Sequence, residues 1–144
     1  MTAKHDLRYV ADGAVLRQFM TSGAFVRGIM GPWGSGKSSA CCIELFRRAT
    51  EQVPDEHGRR RTRFAVVRGS YPQLKNTTIK TFLGWFPEGK FGTFNWGPPP
   101  RFNMKLGPLR DGTTVDAEFI FLALDDTNAL ANLKSLELTA AWVN

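Results

Sequence analysis

The sequence predicts an α/β protein in which helices flank a mostly parallel sheet. Segments with the apolar pattern of strands alternate along the chain with segments of helical spacing, which is the order found in parallel α/β sheets. A glycine-rich turn lies between the first of these strands and the first long helix. Two later strand patterns are separated by an Asp-Gly pair, which indicates an antiparallel β-hairpin inserted in the sheet.

The elements of the first half follow from the spacing of their apolar residues. The segment AFVRGIM is short, partly β-branched and stopped by Gly31 and Pro32, which is typical of a strand. The next apolar residues recur at helical spacing, and Pro54 lies just beyond the helix that they predict. The predicted elements are a helix at 14–20, a strand at 24–30, a helix at 38–52, a polar loop at 53–62 and a buried strand at 63–67.

The second half predicts a helix, a hairpin, a short helix and a final strand. Leu74, Ile79 and Phe82 follow a largely helical pattern that Pro87 ends. The predicted elements are a helix at 71–86, an ordered loop at 88–100, hairpin strands at 101–106 and 113–124, a helix at 128–136 and a strand at 137–143. The aromatic residues in and before the loop predict a small packed cluster rather than a base-stacking platform: Trp85, Phe86, Phe91, Phe94 and Trp96.

Composition and charge restrict the class of function. The 19 Lys and Arg residues outnumber the 13 Asp and Glu residues, and this charge of +6 favours polyanionic partners without identifying one. No apolar run reaches the ~18 residues of a membrane span, and the N-terminus lacks the apolar core of a secretory signal, so we expect a cytoplasmic protein. The adjacent Cys41 and Cys42 predict two reduced thiols on different sides of a helix. With the isolated His5 and His57 they form no metal-ligand spacing.

The strongest functional signal is the stretch GPWGSGKS at residues 31–38. It matches the pattern GxxxxGK followed by Ser or Thr without a gap, between a predicted strand and a predicted helix. Glycines let the backbone turn its N–H groups toward phosphate oxygens, and the helix that follows adds its N-terminal partial positive charge. We expect Lys37 to act as a catalytic cation on the β- and γ-phosphates and Ser38 to bind Mg²⁺. The predicted phosphate-binding residues are Gly31, Pro32, Trp33, Gly34, Ser35, Gly36, Lys37, Ser38 and Ser39.

Hydrolysis of a bound nucleotide also needs a carboxylate at the end of a neighbouring strand, and two places could supply it. Asp125 and Asp126 follow the apolar run at 119–124, although a strand end and a helix cap explain them equally well. The other place is the end of the last predicted strand, at Asn144. The pattern alone does not choose between them.

Three blocks resemble one family, in the same order along the chain. RGIMGPWGSGKSS, FAVVRGSYPQLKNTTIKTFLGWFP and LKSLELTAAWVN are similar to the ATPase domain of the tailed-bacteriophage terminase large subunit, the motor that pumps DNA into an empty capsid. The first block is shared with many unrelated enzymes, and the second is the most specific. The resemblance covers about Phe25 to Asn144 and implies a P-loop NTPase fold of the ASCE type. It also implies that residues 1–144 are the N-terminal part of that domain, incomplete at the C-terminus and without the family's nuclease domain.

The resemblance implies roles for residues outside the glycine-rich motif. In the family, the strand that LTAAWV resembles leads into an acidic or amide residue and then the catalytic glutamate. Asn144 would take the first of these positions, as a metal-site residue, and the glutamate would follow it. The resemblance favours a structural role for Asp125 and Asp126. Gln18 lies upstream of the motif, where terminases hold the adenine, although a buried amphipathic helix explains this residue nearly as well.

Several arginines have more than one interpretation. Arg68 follows the predicted strand 63–67, where ligands bind in open α/β sheets. It could sense the γ-phosphate as a catalytic residue, or it could be an ordinary surface arginine. Arg101 or Arg110 could serve a neighbouring subunit as an arginine finger. A run of arginines could follow DNA phosphates, but a solvated loop is the favoured interpretation: Arg59, Arg60, Arg61 and Arg63.

The function that the resemblance implies is an ATP-hydrolysing, Mg²⁺-dependent motor that moves DNA into a procapsid. Its expected partners are double-stranded DNA bound through its phosphates, the portal protein, the small terminase subunit and further copies in a ring, and no membrane. It would work in the cytoplasm of the host bacterium, docked transiently on the procapsid. Two rivals remain open, a nucleotide-binding module that does not hydrolyse and a small-molecule P-loop kinase. No nuclease activity is expected.

Overall fold

The computed structural model describes residues 7–144, so His5 and the rest of residues 1–6 lie outside the described part of the chain. The helices are α1 (Ala14–Thr21), α2 (Lys37–Glu51), α3 (Tyr71–Gln73), α4 (Lys80–Trp85) and α5 (Thr127–Leu133), and a π-helical turn (Leu74–Ile79) joins α3 to α4. The strands are β1 (Arg59–Arg68), β2 (Gly92–Asn95), β3 (Arg101–Leu106), β4 (Thr114–Ala123) and β5 (Ala140–Val143). Among residues 7–144, no helix is both long and apolar enough to cross a membrane.

The five strands form one mixed sheet in the order β2-β3-β4-β1-β5. Strand β1 is parallel to β4 on one side and to β5 on the other, whereas β3 is antiparallel to both β2 and β4. The predicted α/β class and the predicted hairpin are therefore confirmed. The sheet is mixed, because two of these four pairings are antiparallel, and the expected parallel arrangement holds for β4, β1 and β5. The extra antiparallel strand is β2, which forms within the segment expected to be a loop at 88–100.

The segment 24–30 is not a strand, contrary to the sequence prediction. Three of its apolar side chains point into solvent, with Phe25 103%, Val26 81% and Met30 93% exposed, whereas Arg27 and Ile29 are half-buried. A strand is stable only when a neighbouring strand pairs its backbone N–H and C=O groups. Within residues 7–144 the ladders join only the five strands named above, so this apolar segment stays outside the sheet.

The arginine run 59–63 lies on strand β1. The prediction that these arginines belong to a solvated loop is therefore wrong. Pairing of Arg59 with Thr114 starts the parallel ladder four residues before the predicted strand. Acidic partners lie beside three of the four guanidinium groups: Asp55 at 3.2 Å from Arg59, Asp111 at 2.7 Å from Arg60 and Glu118 at 3.5 Å from Arg63. The ladder and these ion pairs hold the run in an extended conformation.

The main core lies between one face of the sheet and the helices α2 and α4. At its centre, the ring of Phe82 lies 4.8–5.2 Å from four other rings, those of Phe86, Phe102, Phe119 and Phe121. All five side chains are at most 1% exposed. Removing a large ring from such a core typically costs about 3–5 kcal/mol. On the opposite face, α5 covers a smaller apolar cluster around Val67 and Ile120.

Cys41 and Cys42 are free thiols on α2, and both are buried in the main core. Burial raises the pKa of Cys41 to about 11 and the pKa of Cys42 to about 12. We predict that iodoacetamide at pH 7.5 alkylates neither thiol in the folded protein, because the reactive thiolate is scarce and inaccessible. Mass spectrometry should find both thiols alkylated once denaturant is added. Rapid alkylation without denaturant would contradict this packing.

Candidate functional site

The glycine turn (residues 31–36) leads directly into α2 at the carboxyl edge of the parallel strands. Helix α2 packs on β1, and residues 52–58 join its end to the start of β1. The helix therefore runs back along the strand, and its N-terminus lies toward the ends of β1, β4 and β5. This edge is where ligands bind in open α/β sheets.

The glycine turn needs glycine at two positions because of its backbone geometry. Gly34 has φ 74° and Gly36 has φ 80°, both in the left-handed region that residues with a Cβ seldom adopt. Gly36 is also the N-cap of α2. A third glycine, Gly31, is close to Ser35, whose Oγ would lie 3.1 Å from an added Cβ. The spacing of glycines in the sequence thus corresponds to a compact turn.

The N-terminus of α2 has the properties of an anion site. No side chain caps it, and its first turn contains no acidic residue. The first N–H groups of a helix have no partner within the helix, and they carry its positive dipole end. The backbone N–H groups of Lys37, Ser38 and Ser39 belong to this first turn.

The ammonium group of Lys37 folds back onto the glycine turn. Its Nζ donates to the carbonyl oxygens of Gly31 at 2.6 Å and Pro32 at 2.7 Å, and to Ser35 Oγ at 3.2 Å. The cation and the turn are therefore in direct contact. Trp33, at the tip of the turn, is fully exposed. A phosphate bound in the turn would replace some of these oxygens as the partner of Lys37.

A cavity of about 250 Å³ lies beside the turn, and sequence reasoning did not find it. Residues 12–16, which include the start of α1, form one wall, and Ile29, Met30, Ser35 and Lys37 are among the residues of the other. Gln18, which was expected near the adenine, is exposed on α1 and does not line this cavity. Because α1 is separated from the glycine motif in sequence, no local pattern indicated that the start of α1, rather than Gln18, lines this cavity.

Arg68, Asn144 and Asp125 all lie at the carboxyl edge of the sheet. The backbone N–H of Leu124 donates to the carbonyl of Arg68 at 2.9 Å, and that of Asn144 donates to the carbonyl of Val67 at 2.8 Å. Because β4 and β5 lie on opposite sides of β1, Asp125 and Asn144 follow strands that flank Arg68. Arg68 itself is half-buried.

Asp126 has a structural task. Its Oδ1 accepts the backbone N–H groups of Asn128 at 2.9 Å and Ala129 at 3.3 Å, which caps α5. The helix-cap interpretation is therefore confirmed for Asp126. Within residues 7–144, no group of three His, Cys, Asp or Glu side chains is placed to hold a metal ion.

A buried carboxylate anchors the chain that leads into the glycine turn. Glu44 on α2 is 5% exposed, and its Oε1 accepts from Arg27, from Arg47 at 2.9 Å and from Arg48 at 3.0 Å. Arg27 also donates to the carbonyl of Phe19 at 2.9 Å. The end of α1 and the segment before the turn are thereby joined to α2, which compensates for the missing strand at 24–30.

The arginines decide the protonation state of Glu44. Burial alone would raise its pKa, but the hydrogen bonds from Arg47, Arg27 and Arg48 outweigh burial and hold the pKa below its ordinary value of 4.5. Glu44 is therefore charged at neutral pH. Its contribution to stability is complete above about pH 4.5 and is lost as the pH falls through the lower pKa of the folded state.

Comparisons with protein-family models, with curated proteins and with solved structures match nothing to this chain. What the site can do is therefore inferred from its own residues and geometry.

We predict that Glu44→Gln lowers the free energy of unfolding at pH 7 by about 2 kcal/mol, because a neutral amide oxygen replaces the negative charge that accepts from the arginines. The difference from the wild-type protein should narrow as the pH is lowered from 6 toward 3, since the wild-type carboxylate then becomes neutral. Urea unfolding followed by circular dichroism measures both quantities. Glu51→Gln, an exposed change on the same helix, is the matched control. A difference that is constant over this pH range would contradict the charged role of Glu44.

Proposed function

We propose that this chain binds ATP through the glycine turn and the first turn of α2. One observation carries the proposal. The left-handed residues Gly34 and Gly36 lead into an uncapped helix of 15 residues, while the Lys37 ammonium lies against the same turn. Backbone donors, a helix dipole and a cation that converge in this way suit a chain of phosphates.

Different residues around the turn contact different parts of the ligand. Backbone N–H groups of the turn and of Ser38 and Ser39 donate to phosphate oxygens, and Lys37 exchanges its carbonyl partners for the β- and γ-phosphates. The cavity beside the turn offers space for the nucleoside part of the ligand, next to the start of α1. Arg68 lies on the same edge of the sheet and is the proposed sensor of the γ-phosphate.

Ser38 and Asn144 are the proposed oxygen ligands of a magnesium ion at this site. Ser38 carries its hydroxyl in the first turn of α2, and Asn144 bonds Thr78 through its amide nitrogen rather than its oxygen. Hydroxyl and amide oxygens are suitable ligands for this hard cation. Mg²⁺ would neutralise charge on the phosphates when bound.

We further propose that the chain is the ATP-hydrolysing part of a DNA-packaging motor, a terminase large subunit of a tailed bacteriophage. The order of the three resembling blocks supports this, and so does the charge of +6, which suits non-specific contact with DNA phosphates. In such a motor the portal protein, the small terminase subunit and a ring of further copies are the partners. The host cytoplasm and the procapsid are its place of action.

A nucleotide-binding module without hydrolysis is the second candidate. Asp126, one of the two residues whose sequence pattern suits a metal carboxylate, is occupied as the cap of α5. This favours binding over turnover for the described residues. Hydrolysis that double-stranded DNA stimulates separates the motor from this candidate and from a small-molecule kinase.

We predict that the wild-type chain binds ATP in the presence of Mg²⁺ and that Lys37→Ala weakens binding at least tenfold, because a charge-assisted contact to phosphate is lost. Isothermal titration calorimetry measures the dissociation constants. Lys134→Ala, an exposed change at the end of α5, is the matched control. Phosphate release assays with and without DNA then test turnover. If the wild-type chain fails to bind ATP, or if Lys37→Ala and Lys134→Ala bind alike, the proposed site is wrong.

A further inference from the structure

The side chain of Trp85 contacts the first turn of α2 from another part of the chain. Trp85 is the last residue of α4, and its Nε1 donates to Ser39 Oγ at 2.9 Å across 46 residues of sequence. An indole N–H can only donate, so the Ser39 hydroxyl is the acceptor here. The hydroxyl proton of Ser39 therefore remains to be donated to another group. Ser39 follows Lys37 by two residues, within the proposed phosphate site.

An aromatic contact and the packing of the next residue hold the indole of Trp85 in place. The ring of Tyr9 meets it edge-on, with 5.6 Å between centroids. The next residue, Phe86, is fully buried and stacks on Phe46 of α2 at 5.4 Å. Because α4 is thus packed directly on α2, the hydrogen bond to Ser39 fixes the first turn of α2 relative to a rigid neighbour.

The helical segment that ends at Trp85 also contacts the end of β5. Thr78, which is 1% exposed, accepts a hydrogen bond from Nδ2 of Asn144 at 3.3 Å. Thr78 lies in the π-helical turn (Leu74–Ile79), a rare conformation that is frequent at functional sites. One segment therefore contacts both the first turn of α2 and the residue proposed to help hold Mg²⁺.

We propose that Trp85 is a positioning residue for nucleoside triphosphate binding and that it acts through Ser39. The indole N–H holds the Ser39 oxygen, so that the hydroxyl proton is directed toward the phosphates rather than toward α4. Hydrogen bonds that donate in sequence strengthen one another, which makes the Ser39 hydroxyl a better donor. This inference rests on the proposed function, because it assigns a role within that same ATP site.

A double-mutant cycle tests whether Trp85 acts through Ser39. Trp85→Phe keeps an aromatic ring but removes the hydrogen-bond donor. Ser39→Ala removes the acceptor and leaves every residue of α4 unchanged. We expect each variant to bind ATP with Mg²⁺ about 3- to 10-fold more weakly than the wild-type chain, as the loss of one hydrogen bond implies. The double variant should be no weaker than the weaker single variant. Trp96→Phe, at a half-exposed indole away from α2, should bind like the wild-type chain.

A spectroscopic measurement distinguishes positioning from a purely structural role. In a ¹⁵N-labelled chain, the indole N–H resonance of Trp85 should shift on addition of ATP and Mg²⁺ and should also shift in Ser39→Ala. The resonance of Trp96 should stay unchanged. If Trp85→Phe fails to fold, ATP binding by Ser39→Ala and the Trp85 indole resonance still show whether Trp85 positions Ser39.

Two different failures can be told apart. If the wild-type chain binds ATP and Lys37→Ala abolishes binding, but Trp85→Phe binds like Trp96→Phe, the positioning role is wrong and the ATP site stands. The positioning role would also be wrong if the effects of the two changes were additive in the double variant, or if ATP did not shift the Trp85 indole resonance. If the wild-type chain binds no ATP, the proposed function fails and the role of Trp85 fails with it.

Discussion

The position of β1 between two parallel neighbours is the constraint on which the site depends. Strand β1 pairs with β4 along its whole length and with β5 over residues 64–67. Parallel strands end at the same edge of a sheet, so this pairing brings Arg68, Leu124 and Asn144 together. Helix α2 packs against the same strand and brings the glycine turn to that edge. A change of one residue in register would separate these groups and turn buried side chains to the opposite face.

Elements whose signals are local were predictable from the sequence. Helix α2 was expected at 38–52 and runs from Lys37 to Glu51, because its apolar spacing, its leading glycines and the later proline are all contained in the segment. Strands depend on partners that are distant in sequence. The segment 24–30 has strand composition but no paired neighbour, whereas β1 extends back to Arg59 because β4 is long enough to pair with it.

The candidate site likewise has parts with local sequence signals and parts that depend on distant segments. The glycine turn and Lys37 were predictable because backbone freedom, cation and helix start follow one another within eight residues. The start of α1, which lines the cavity, and Trp85, which bonds Ser39, come from distant segments and have no signature of their own. The buried Glu44 was missed for a related reason: Arg47 and Arg48 lie on the same helix, but its third partner, Arg27, reaches it only after the segment before the turn has packed on α2.

The most direct measurement is of the backbone amide resonances of residues 34–39 in a ¹⁵N-labelled chain. The chain would be titrated separately with ATP and Mg²⁺, with inorganic tripolyphosphate and with adenosine. If the turn binds a chain of phosphates, ATP and tripolyphosphate should shift these resonances strongly and adenosine should leave them nearly unchanged. Shifts caused by adenosine alone, or by none of the three, would contradict a phosphate site at the start of α2.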